Sequence, residues 1–191
     1  MAPERILLLH AVIPLWLLAG FADWLCHRRA AIEATSGAPE SALHLLLLAE
    51  MGIPLLGALY LEVNALILLV LAIALVAHEI TTYVDVRYAA PRRHVGVIEQ
   101  LVHSVLEMSP LIVLFLLASE HWPQALALIG AGDEPARFTL TPSSEAPSLA
   151  YTIALAIAIV VLALAPYLEE LIRALRRTER LDSAAPQRAR R

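Results

Sequence analysis

The chain has 191 residues, 59% of them hydrophobic, with a mean hydropathy of +0.69 and a formal charge of −4. That hydrophobic fraction stands above the roughly 45–50% of ordinary soluble domains, so a large water-soluble core is the wrong picture, and a mildly acidic chain is no nucleic-acid binder. One cysteine, Cys26, excludes an intrachain disulfide and any Cys-rich zinc or iron–sulfur site.

The first apolar run, Ile6 to Ala22, follows a short start in which Glu4 offsets Arg5. No small-x-small cleavage site follows it, and Asp23, Trp24 and Leu25 are too bulky and polar to precede a lipoprotein cysteine, so the run reads as a retained span over about 6–28. Residues 35–39, Thr-Ser-Gly-Ala-Pro, form a turn, with Ser41 expected to cap the next helix. The apolar stretch 42–77 would be about 54 Å long as one helix, too long for one span. Glu62 and Asn64 place a break there, giving spans of about 41–59 and 63–88. Residues 89–93 close the third helix, and a fourth is expected over 95–118. Six glycines and prolines between Pro123 and Pro147 mark 119–148 as an outer loop, with a short interfacial helix near Trp122 to Ile129. A fifth span is expected over 149–177, followed by a disordered, Arg-rich cytoplasmic tail, 178–191. Pro14, Pro54 and Pro110 are expected to kink three spans in their outer halves.

All 14 basic residues are arginines. With five spans, twelve of them fall on one side and only Arg5 and Arg137 on the other. Short cytoplasmic loops carry the positive excess, so the expected protein is an integral protein of a bacterial inner membrane, N-terminus outside and C-terminus inside.

The spans carry ionisable residues, which are costly in lipid and point to function. Asp23, Glu50, His78 and His103 lie about seven to ten residues from the inner ends of their helices, and His27, His44, Asp85 and Glu99 form a shallower tier. Asp23 and His27, and Glu99, His103 and Glu107, repeat at intervals of four, which shares a helix face. His44 and Glu50 are six apart and point about 120° from one another, so one of them is expected to face elsewhere. The expected architecture is an all-α integral membrane protein of about five spans, four of them forming a bundle around this site. Asp23, His27, His44, Glu50, His78, Glu79, Glu99 and His103 are the expected metal ligands, with Glu107 and Asp85 as acid–base partners beside them.

Mixed imidazole and carboxylate ligands suit iron, manganese or zinc, and carboxylate-rich four-helix bundles hold two metals. The chain lacks the Glu-x-x-His repeats of soluble di-iron bundles, and haem is disfavoured by the dense carboxylates. The expected function is a (di-)metal-dependent membrane oxidoreductase acting on a lipid or other apolar substrate. A zinc-dependent membrane hydrolase, a proton or divalent-cation transporter, and a structural or assembly subunit remain alternatives. His10 and His121, near the outer side, are expected to be structural; His94 is at most an accessory ligand, and Cys26 a packing residue.

Overall fold

A computed structural model describes residues 2–188, and among these every secondary-structure element is a helix, with no strands. Five helices are long and apolar enough to cross a membrane: α1, Pro3–Ala30; α2, Ala38–Tyr60; α3, Ala65–Ala89; α4, Val97–Glu120; and, after the short α5, Trp122–Leu128, the terminal helix α6 from Leu149. α6 continues to Arg188, through much of the stretch expected to be a disordered tail; residues 189–191 of that stretch lie outside the described residues.

Proline chemistry explains the irregular turns in α1 and α6. Pro14 and Pro166 have no N–H to give to the carbonyls four residues back, His10 and Leu162, and each of those residues sits in a π-helical turn, Leu8–Val12 and Val160–Leu164. α2 and α4 run through Pro54 and Pro110 without such a turn. α1 ends on Ala31, whose left-handed backbone (φ 51°) returns its N–H to the His27 carbonyl. Gly37, at φ 71°, then starts α2 three residues earlier than expected. Ser41 is therefore a buried residue inside the helix rather than its cap, and Glu40 enters the first turn, fully buried.

The 36-residue apolar stretch breaks at residues 61–64 without glycine or proline. Asn64 does the work: its Oδ1 accepts from the backbone N–H groups of Leu66 and Ile67, and its Nδ2 donates to the Thr139 carbonyl. The Glu62 N–H donates to the Thr141 carbonyl, and the Ser143 N–H to that of Tyr60, so the long 129–148 loop is stitched across the break. Gln124 on α5 joins in, accepting from the Ala65 and Arg137 N–H groups.

α2 packs on α3 and α6, α1 packs on α4 and α6, and α3 meets α4, which closes a ring of five helices. At the end where α1 begins the ring is filled by Leu8, Leu9, Leu59, Leu71, Val113 and Leu117. Large apolar side chains project outward from every helix, among them Leu18, Ile53, Ile73, Phe115 and Ile157, each more than half exposed. Apolar outside and charged inside is the arrangement a bilayer selects. The fold fits a membrane protein. α6 belongs to the ring that encloses the site, so the polar centre is not the property of a bundle of the first four spans, as the sequence reading had it.

Candidate metal centre

Near the arginine-rich end the ring encloses a buried cluster of ionisable side chains drawn from every one of the five long helices. α1 supplies Asp23 and His27, α2 Glu40 and His44, α3 Asp85, α4 Glu99 and His103, and α6 Glu170; all are buried except His103, which is partly buried. Glu170 is the hub. Its two oxygens sit 3.1 Å from His27 Nδ1 and 2.8 Å from His44 Nδ1. A carboxylate can only accept, so both imidazoles donate Nδ1–H and turn Nε2 away from the hub. The two rings stack, with centroids 4.3 Å apart and planes 15° from parallel.

Each Nε2 faces further carboxylates. His27 Nε2 lies 3.4 Å from Asp23 Oδ1 and 3.3 Å from Glu99 Oε1, and His103 Nε2 lies 2.9 Å from the same Asp23 oxygen. His44 Nε2 lies 3.6 Å from Asp85 Oδ2 and 3.9 Å from Glu40 Oε1. His27 Nε2, His44 Nε2 and Asp85 Oδ1 make no hydrogen bond, although all three are sealed from solvent. Atoms at such separations suit a cation between them: nitrogen and oxygen ligands 2.0–2.1 Å from a tetrahedral ion stand about 3.4 Å apart. Two groups of donors converge, Asp23, His27, Glu99 and His103 in one, His27, Glu40 and His44 in the other, each with its ligand atoms within 4.8 Å of one another.

Arg93, from the loop between α3 and α4, ties the groups together. Its Nη2 lies 2.5 Å from Glu40 Oε1 and 2.6 Å from Glu99 Oε1. Burial works against its charge, but the hydrogen bonds to Glu40 and Glu99 outweigh that and raise the guanidinium's pKa above its ordinary value. Tyr167 closes the opposite side, donating its hydroxyl to Asp23 Oδ2 over 3.4 Å. Toward the helix ends Glu169 gathers Trp24, Arg28 and Arg173, and Arg173 also pairs with Glu33.

Of the expected ligands, Asp23, His27, His44, Glu99 and His103 come together, and Asp85, the expected acid–base partner, lies beside them with Oδ2 3.6 Å from His44 Nε2. The other expected residues lie elsewhere. Glu50 accepts from the Thr81 hydroxyl at 2.8 Å, so it is the member of the His44/Glu50 pair that faces away. His78 is buried beside the Leu47 carbonyl, outside both donor groups. Glu79 and Glu107 are exposed. Thus the two expected tiers do not stay separate: the shallow set combines with Asp23 and His103. The sequence reading missed Glu40, Arg93 and Glu170. The four-residue step from Glu40 to His44 was there to find, as was the three-residue step from Tyr167 to Glu170.

A cavity of about 330 Å³ opens directly off the cluster. Asp23, His44, Asp85, His103 and Tyr167 form its polar end; Ile13, Leu17, Leu59, Leu155 and Ile159 line its far end. His78 and Glu107 also line it.

The chain matches no known protein family, no curated protein and no solved structure. The fold and site define its class: a multi-helix apolar protein with a buried His/Asp/Glu cluster able to hold a metal ion.

Proposed function

We propose that the chain is a membrane oxidoreductase whose buried cluster holds two divalent metal ions at the cytoplasmic side of the bilayer. Charge balance carries the reading. Asp23, Glu40, Asp85, Glu99 and Glu170 are buried around a single guanidinium, Arg93, which leaves four negative charges if the imidazoles are neutral. Uncompensated charge so deeply buried is very costly. Two divalent ions offset it in full. Protonating His27, His44 and His103 instead would leave one negative charge unbalanced and would stack two cations with ring centroids 4.3 Å apart. Glu170 also does for His27 and His44 what a carboxylate commonly does behind a metal-binding histidine, fixing the ring and raising its basicity.

Five carboxylates and three imidazoles with no thiolate form a hard donor set, which favours iron or manganese and hence redox chemistry. The same ligands around zinc would activate water for hydrolysis. The substrate, in either case, comes from the bilayer through the apolar cavity. The arginines described at the cluster's end, among them Arg28, Arg29, Arg87, Arg92, Arg93 and Arg173, support a cytoplasmic orientation for that end. Protein purified in detergent after growth with added iron, manganese and zinc should carry about two metal ions per chain by mass spectrometry, with iron or manganese predominating. Less than a few tenths of any metal per chain would refute the centre, and zinc alone would replace the redox reading by the hydrolytic one.

A further inference from the structure

We infer that the cavity is a socket for one unbranched alkyl chain of about 12–16 carbons, whose oxygen-bearing end rests against the cluster. The inference takes the metal centre as the reason for the polar end, but its length argument rests on the cavity alone.

The cavity is amphipathic along its axis. Lining residues run from Asp23 back to Ile13 on α1 and from Tyr167 back to Leu155 on α6, ten and twelve residues, or about 15 and 18 Å of helix. On α2 they run from His44 to Leu59, about 22 Å. An extended chain advances roughly 1.2 Å per bond, since three backbone bonds span about 3.6 Å. A depth of 15–20 Å therefore holds about 12–16 carbons. Polar groups lie only at the cluster end and beside it, on Thr82, His78 and Glu107; beyond them the wall is aliphatic apart from Trp16.

Entry is lateral. Val86 on α3, Glu107 on α4 and Ile53 on α2 line the cavity and are exposed on the outer face of the ring, so the cavity opens where lipid stands. Because the bilayer is as apolar as the socket, burying methylenes gives little by itself, and the match of length to depth decides which chain is held.

Gly52 provides the test. It lines the cavity, and a side chain there meets no atom within 4 Å at its Cβ, so a larger residue grows into open space. Saturated primary alcohols from 8 to 20 carbons would be bound to the purified protein in nanodiscs and read by native mass spectrometry and by Trp16 fluorescence. Retention should peak at 12–16 carbons and fall at least tenfold by 8 and by 20. Gly52→Phe should shift the peak shorter by several carbons or abolish binding, with metal content unchanged; Gly52→Ala should shift it less. A flat length profile in the wild type, or a peak that neither substitution moves, overturns the socket. If Gly52→Phe fails to fold, the wild-type profile and Gly52→Ala decide alone. Metal is assayed on the same samples: a length peak without metal sinks the centre and leaves the socket, whereas metal without a length peak sinks the socket only.

Discussion

Glutamine in place of Glu170 keeps the side chain's length and volume but replaces one acceptor oxygen by an amide donor. One of the two imidazoles then loses its Nδ1–H partner, and the site loses a buried charge. Losses of such supporting carboxylates commonly weaken metal binding 10- to 100-fold, and that is the expected result for Glu170→Gln in a chelator-competition titration. Glu169→Gln, one residue away among Trp24, Arg28 and Arg173, should stay within about twofold; equal losses would show that the hub is not Glu170. Residues such as His27 and His103 were legible because each has a carboxylate four positions before it on a helix otherwise apolar. Glu170 was not, because it follows Glu169 near a helix end rich in arginine, where acidic residues ordinarily meet water. Arg93 was counted toward topology as a loop arginine, and nothing local tells that its fork reaches Glu40 and Glu99. Glu50 shows the converse failure: similar depth brings residues to one level, while helix rotation decides which of them look inward; His78 does look inward, but onto the cavity and outside the donor groups.

The break between α2 and α3 rests on one short segment. Asn64→Ala removes the cap on Leu66 and Ile67 and the bond to Thr139, and should cost about 1–3 kcal/mol, seen as a lower thermal midpoint in detergent. Proteolysis of the 129–148 loop should quicken in the same variant, since that loop is stitched to the break; an unchanged midpoint and cleavage rate would mean that packing alone holds it. The five long helices themselves were readable, because hydrophobic runs of the right length leave few alternatives in a bilayer. Helix starts were less so. The Ser41 cap looked natural, yet Gly37, with its positive φ, begins α2 early enough to bury Glu40, a difference of one turn that adds a residue to the site.

At the level of the whole molecule, the cluster is, among the described residues, where all five long helices meet through charge. Removing metal would leave mutually repelling carboxylates at the centre of the ring. Chelation should therefore lower the thermal midpoint of the detergent-solubilised protein by several degrees, with re-addition of metal restoring it, as expected for a ligand that binds the folded state alone. Hydrogen exchange should rise first at the arginine-rich ends of α1 and α6, where the cluster sits, and least among Leu71, Val113 and Leu117. Metal loss with no change in midpoint would mean that the ring holds without the centre. The ring closure was the least legible part of the fold, since it depends on α6 returning to sit between α1 and α2, and the polar clusters of the first four spans gave no sign that a fifth wall was needed.

That return has a consequence for how the protein is made. The ribosome releases α1 to α4, with both imidazoles and four of the five acids, well before it reaches Glu170. Until the last helix enters the membrane, His27 and His44 have no common anchor and α1 and α2 have no wedge between them. A chain cut short after α4 would keep the pairings of Arg93 with Glu40 and Glu99 and of His103 with Asp23, but it would lack the one carboxylate that holds His27 and His44 together.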